Sequence, residues 1–204
     1  MRSFSSMVLL ARFPYVSRFT FLRLPWGKHP VALAVAESRL FPVLDHDHAV
    51  ILIVDDRQDD FLLMRHGFHR AGLLNPLHWV SSGEEAIQYL NGSGRYSHRV
   101  EHPLPDLILL DLKMLGMDGF EVLTWIRRQP GIRILPVVVL TSSEQIQDVN
   151  HAYSLGANSF LVKPLDFMNY AELAKILRDF WLKCARRPEI LRPPPKPNGP
   201  ARKH

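Results

Sequence analysis

Four apolar runs in this chain each end on a polar residue equipped for chemistry. Ala49–Val54 runs into Asp55 and Asp56, Leu107–Leu110 into Asp111, Val137–Leu140 into Thr141, and Phe160–Val162 into Lys163. If the runs bring their endings together, three carboxylates repel one another by about 4 kcal/mol per pair at 4 Å and an effective dielectric of 20. A positive partner must sit among them. Hard oxygen donors favour a divalent cation such as Mg²⁺ over zinc, which prefers nitrogen and sulfur. Lys163 adds a flexible point charge and Thr141 a hydroxyl donor. Acids, a metal, a lysine and a threonine in one pocket are the parts needed to orient and neutralise a phosphoryl group in transfer to a carboxylate.

The elements that must position these groups follow from the same runs. They are short and rich in β-branched residues, with no period-2 alternation, as expected of strands buried on both faces. Strands are predicted near 49–54, 76–81, 106–110, 136–140 and 159–162, and helices near 60–72, 83–91, 119–129, 145–155 and 167–184. Five alternations of strand and helix predict an α/β fold, a doubly wound parallel sheet with helices on both faces. Ligands of such sheets sit beyond the carboxyl ends of the strands, where Asp55, Asp56, Asp111, Thr141 and Lys163 would converge. The first helix carries Phe61, Leu62, Arg65, Phe68 and Ala71 near helical spacing and ends at Gly72, a good C-cap residue. The last carries Leu173, Ile176, Leu177, Phe180 and Trp181 as an inward or partner-facing stripe.

The segments ILIVDD (51–56), DLILLDL (106–112), MDGFEVL (117–123), PVVVLTSS (136–143) and GANSFLVKPLD (156–166), in this order, resemble the receiver domain of two-component response regulators. The resemblance spans residue 49 to about 184. It implies a flavodoxin-like sheet of order 2-1-3-4-5, with Asp111 as phosphoacceptor and Asp55, Asp56 and Asp111 as magnesium ligands, joined by the backbone carbonyl of Lys113. It further implies that Thr141 and Lys163 contact the phosphoryl oxygens and that Phe160 is a switch aromatic. It points to a cis Lys163–Pro164 bond, an isomer that is cheap only before proline. Lys113 and Ser143 stand where the family tunes dephosphorylation, and Leu115 stands where many receivers have proline. The implied partner is a sensor histidine kinase, with signalling onward to an unidentified protein or through a homodimer made by helix 4, strand 5 and helix 5. The stretch NGSGRYSHRVEHPLP (91–105) is longer than in a minimal receiver. With the Phe180-Trp181 pair, it is similar to stand-alone regulators that partner bacterial phytochromes; its other reading is a variable surface loop.

Taken singly, each residue has a plainer reading. Asp55 and Asp56 could cap a helix, although Asp59 and Asp60 are better placed to start the one that follows. Thr141-Ser142-Ser143 suits a loop with an N-cap, and Lys163-Pro164 suits a turn. The weight lies in four strand ends each supplying the required type. An enzyme reading, a haloacid-dehalogenase-type phosphatase, uses similar parts but should open on an Asp-x-Asp nucleophile and place its acid pair last. Here the pair comes first. A third reading is a docking module that is not phosphorylated. Among the histidines, His66 and His69 lie three apart, and Asp45-His46-Asp47-His48 is a short cluster, but neither completes a zinc ligand set.

The 204 residues, 47% hydrophobic, are enough for one core and short for two full domains. The net charge of +5 is unevenly spread. Residues 1–44 hold six basic residues against one acid, residues 45–172 ten against seventeen, and residues 173–204 nine against two. The expected organisation is a basic extension or an early start over 1–44, a domain over 45–184 and a basic proline-rich tail over 185–204. An acidic core with basic flanks argues against direct DNA binding, and no output module is expected after residue 184. The single cysteine, Cys184, precludes an internal disulfide and suits the cytoplasm. No apolar stretch approaches the roughly 18 residues of a membrane span.

Overall fold

The computed structural model describes residues 48–185 except Phe167, and the backbone of two short strands before them. The chain divides into two units, Met1–Leu44 and Asp45–His204. In the first, Thr20–Leu22 pairs antiparallel with Leu33–Val35, a ribbon that the sequence pattern did not predict. The remainder of the expected extension, residues 45–47 of the histidine cluster and the tail from residue 186 lie outside the described residues.

In the second unit the five expected strands form: β1 (Ile51–Val54), β2 (Leu77–Val80), β3 (Leu107–Leu110), β4 (Val137–Thr141) and β5 (Ser159–Val162). They make one parallel sheet in the order β2-β1-β3-β4-β5. Five α-helices alternate with them: α1 (Gln58–Arg70), α2 (Gly83–Asn91), α3 (Gly119–Arg128), α4 (Ile146–Ser154) and α5 (Asn169–Leu177).

The absence of alternation in the strands has its expected cause. Successive residues point to opposite faces, and both faces are covered. Leu52, Val54, Ile108, Leu110, Val137 and Val139 pack with Ala86, Tyr89, Val122, Leu123, Ile126 and Ala152 of α2, α3 and α4. Ile51, Ile53, Leu107, Leu109, Val138 and Leu140 pack with Met64 and Phe68 of α1 and with Tyr170, Leu173 and Leu177 of α5. The topological switch point therefore falls between β1 and β3, with β1 and β3 aligned Val54 opposite Leu110.

Two predicted elements differ in detail. The last helix does not run unbroken to residue 184; α5 gives way at Arg178 to a wider π-helical turn through Cys184, which Arg178 ties to the end of α1 by donating from Nη1 to the Ala71 carbonyl at 2.7 Å. The predicted stripe is also divided in burial. Leu173 and Leu177 are buried, whereas Ile176 and Phe180 are exposed.

The 91–105 stretch is a packed structure with its own ring cluster. Tyr96, in a 3₁₀ turn at Gly94–Tyr96, is buried against Tyr89 and His102, with centroids 5.0 Å from each. The Tyr96 hydroxyl donates to Glu85 Oε1 at 2.7 Å, and Arg95 pairs with the same carboxylate. Arg99 closes the end of α2, donating from Nη1 to the Tyr89 carbonyl at 2.8 Å and from Nη2 to that of Leu90 at 2.7 Å. These carbonyls belong to the last turn of the helix, where backbone donors run short; that of Tyr89 also accepts from the Gly92 amide at 3.1 Å. Arg99→Ala is expected to lower stability by about 1–2 kcal/mol in urea titration, with faster amide exchange confined to the end of α2 and residues 92–105; a change below about 0.5 kcal/mol would mean that water replaces the guanidinium there.

Candidate functional site

The strand ends deliver the four residue types to one place. Backbone hydrogen bonds carry the sheet one residue past the strands: the Asp55 amide donates to Val80 at 3.1 Å, the Asp111 amide to Val54 at 2.9 Å, and the Lys163 amide to Thr141 at 2.8 Å. Each functional side chain is thus held by a backbone that is itself paired. Asp55, Asp111, Thr141 and Lys163 are all buried. The indole of Trp79, stacked on Phe61 with centroids 5.1 Å apart, donates to the Asp55 carbonyl at 2.8 Å and walls the site on the β2 side.

One carboxylate oxygen from each of Asp55, Asp56 and Asp111 lies within 4.8 Å of the others. Among the described residues this triad is the one group of three or more His, Cys, Asp or Glu side chains close enough to share a metal ion; His66 and His69 join no such group. Three carboxylate donors at this spacing suit a hard divalent cation. The loops orient them. Asp55 Oδ1 accepts from the Arg57 amide at 3.1 Å, Asp111 Oδ1 from the Lys113 amide at 3.1 Å, and Asp56 Oδ2 from the Leu115 amide at 3.0 Å. The last bond gives the departure at Leu115 a physical meaning, because a proline there would have no N–H to donate.

Lys163 is the local counter-charge. Its Nζ lies 2.6 Å from Asp111 Oδ2, 2.8 Å from Asp55 Oδ2 and 2.9 Å from Asp60 Oδ2. Burial alone would lower the ammonium's pKa, but Asp55 and Asp111 outweigh it and leave Lys163 above the usual lysine value. Burial is also the largest influence on Asp55, raising its pKa above the usual carboxylate value; Lys163 and the Arg57 amide oppose it and Asp111 adds to it. Asp60 is the site residue that sequence reasoning assigned elsewhere, to the start of α1. The Lys163–Pro164 bond is a further correction, since no peptide bond among the described residues is cis. Trans is the ground state of X–Pro by about 0.5–1 kcal/mol, and the lysine reaches all three acids with it.

Thr141 ends β4 and Ser143 follows in the β4–α4 loop, where Thr141 Oγ1 accepts from the Ser143 amide at 3.4 Å. The Ser143 hydroxyl donates to Asp148 Oδ2 at 2.5 Å, and Lys113 Nζ pairs with the same oxygen at 3.0 Å. Asp148 of α4 therefore ties together the two positions flanking the acid site, and its carboxyl is held below the usual range first by Ser143 and then by Lys113. Phe160, opposite Val139 on β5, is half-buried against the α2–α4 side of the core.

Asp55 yields a prediction with a definite sign. Its raised folded-state pKa means that the folded chain binds more protons than the unfolded chain between the ordinary aspartate value and the raised one. Stability therefore falls as pH rises through that window, and the metal-free fold carries the cost at neutral pH. Asp55→Asn is expected to raise metal-free stability at pH 7 and to cut the gain that Mg²⁺ gives the wild type, both read from thermal melts. Equal melting of variant and wild type without metal would contradict it.

The sequence pattern of the response regulator receiver domain matches residues 51–176. The probable methanogenesis regulatory protein FilR2 of Methanothrix harundinacea is 37% identical over 145 residues, covering 70% of this chain and 89% of that protein. The phosphorylated cyanobacterial phytochrome response regulator RcpA superposes with a TM-score of 0.64 at 33% identity, over 70% of this chain and 99% of that one. The Mn²⁺-bound form of response regulator Rcp1, a protein of Synechocystis, superposes with a TM-score of 0.62 at 33% identity, over 69% and 99%.

Proposed function

Because the chain belongs to the response regulator receiver family, we propose that it is a phosphorylation switch that accepts a phosphoryl group on Asp111 from a sensor histidine kinase. A receiver domain is not an enzyme in the ordinary sense, which leaves the phosphatase reading without support. The observation that carries the proposal is the meeting of three acids and one buried ammonium at the ends of β1, β3 and β5, with Nζ 2.6 Å from the Asp111 carboxylate.

In this reading an Asp111 oxygen attacks the phosphorus of a phosphohistidine, the P–N bond breaks, and the imidazole leaves with a proton. Lys163 moves from the carboxylate to a phosphoryl oxygen, and Thr141 donates its hydroxyl hydrogen to another. Asp55, Asp56 and Asp111 would hold Mg²⁺ together with the Lys113 carbonyl. When bound, the ion supplies charge neutralisation between the acids and the phosphoryl oxygens. The Mn²⁺ form of Rcp1 supports this choice of ligand class.

The product adds about −1.5 to −2 of charge to the pocket. Thr141 is drawn toward it, Phe160 rotates, and the surface of α4, β5 and α5 changes. That surface presents Ile146, Tyr153, Val162, Leu165, Ile176 and Phe180 to solvent, and it is where a second copy or a downstream protein docks. A phytochrome-type kinase in the cytoplasm is the upstream partner in this reading, supported by the likeness to RcpA; no helix among the described residues is long and apolar enough to cross a membrane.

The test combines intact mass with sedimentation. Acetyl phosphate and Mg²⁺ are expected to add one labile phosphoryl group to the wild type and none to Asp111→Asn, with a shift toward dimer only in the former. A chain that gains no phosphoryl group from acetyl phosphate or from any histidine kinase would instead be a docking module.

A further inference from the structure

Lys163 has one carboxylate partner that takes no part in the acid triad. Asp60 Oδ2 accepts from Nζ at 2.9 Å, and Asp60 is outside the group of oxygens that lie within 4.8 Å of one another. It occupies the first turn of α1 and is 7% exposed. We propose that Asp60 is a positioning residue that holds the Lys163 ammonium at the phosphoryl-accepting oxygen of Asp111, an inference that rests on the assignment of Asp111 and Lys163 above.

The argument turns on which partners Lys163 keeps. Its contact with Asp111 must be given up when that carboxylate becomes an acyl phosphate. Its contact with Asp55 competes with a cation for the same side chain. Asp60 has neither conflict. An ammonium on a four-carbon stem has many rotamers, and fixing one costs entropy. A buried carboxylate that keeps its bond throughout removes that cost in advance, before the phosphoryl donor arrives.

Asp60 is itself well held. It lies at the N-terminal end of a 13-residue helix, where negative charge is favoured. Its other oxygen, Oδ1, is 3.8 Å from Arg57 Nη2. Nor is it spent on capping: the N-cap of α1 is Arg57, and no side chain makes a cap hydrogen bond there. An acid placed like a helix-start residue is instead committed to a lysine 103 positions away.

The test uses the full chain and four proteins: wild type, Asp60→Asn, Lys163→Ala and the double variant. Initial rates of phosphorylation by acetyl phosphate at saturating Mg²⁺ are read by intact mass, and Mg²⁺ affinity by tryptophan fluorescence, since Trp79 bonds the Asp55 carbonyl. Asp60→Asn is expected to lower the rate about tenfold, the scale of one charge-assisted hydrogen bond, while Mg²⁺ affinity changes by less than about threefold. In the Lys163→Ala background it should cost nothing further, because its effect passes through that lysine. Asp60→Glu should restore part of the rate.

A rate within about twofold of wild type, or an equal loss in the Lys163→Ala background, would overturn the proposal and leave Asp60 a structural acid. A loss of Mg²⁺ affinity that accounts for the slower rate would make it a metal-site residue instead. A wild type that takes up no phosphoryl group would overturn this proposal and the switch together, whereas an active wild type with an indifferent Asp60→Asn overturns this one alone.

Discussion

Replacing Lys163 with methionine is expected to destabilise the metal-free receiver by about 2–3 kcal/mol at neutral pH. The lysine side chain is 6% exposed, and its ammonium touches Asp55, Asp60 and Asp111 at 2.6–2.9 Å. Methionine keeps the length of the stem and removes the charge, so three carboxylates are left facing one another without compensation. Breaking a fully enclosed ion pair costs about 3–5 kcal/mol; the smaller figure reflects a site at the mouth of the sheet rather than in its core. Because the loss is electrostatic, either protons or a divalent cation should relieve it. The variant should recover stability as pH falls toward the carboxylate range and should gain more from Mg²⁺ than the wild type does. Urea titrations at two pH values, with and without Mg²⁺, check both signs. A loss that neither acid nor Mg²⁺ relieves would point to packing as its cause.

Gly119→Ala is expected to cost about 3 kcal/mol and to slow phosphorylation at Asp111. A Cβ at this position would sit 2.1 Å from the Asp111 carbonyl oxygen and 2.8 Å from the Leu112 Cα. Both obstacles are backbone, so no side chain can swing away. The close approach is built by the chain itself: Asp118 caps α3 by accepting from the Glu121 amide at 2.9 Å while Glu121 reaches back to the Asp118 amide at 3.1 Å, and the Gly119 amide donates to Leu112 at 3.1 Å. The start of α3 is thereby pressed against the loop that carries Asp111. An added methyl group must push that loop off the site or lift α3 from its core contacts at Val122, Leu123 and Ile126. Thermal melts and phosphorylation rates measured on the same preparation check the prediction. A stable variant with a normal rate would show that the loop yields at little cost.

Much of this site was legible because parallel-sheet chemistry is local in sequence. A strand buried on both faces reads as an unbroken apolar run, and its end is marked by the first polar residue, so Asp55, Asp111, Thr141 and Lys163 could be found without any three-dimensional knowledge. The first four helices were legible to within about two residues of their ends, with Gly72 at positive φ just past α1. What escaped was long-range. Asp60 carries the composition of a helix start and gives no sign that its partner is Lys163. Arg99 lies in a polar stretch, and only the fold brings its guanidinium to the last carbonyls of α2. The tie from Ser143 and Lys113 to Asp148 joins three segments whose spacing has no period to detect. The split in the last helix at Arg178 likewise follows a tertiary bond, to Ala71. Thr20–Leu22 and Leu33–Val35 are each three residues long, too short for alternation to be read.

The claim that matters most is that Asp111 is the residue that carries the phosphoryl group. An acyl phosphate is reduced by borohydride to an alcohol, so treatment after acetyl phosphate and Mg²⁺ converts the modified aspartate to homoserine and marks it permanently. Peptide mapping should find that conversion in the segment containing Asp111 and nowhere else, and only when Mg²⁺ was present. Conversion at Asp55, Asp56 or Asp60, or a phosphoryl group on a hydroxyl or histidine that borohydride leaves untouched, would contradict the account.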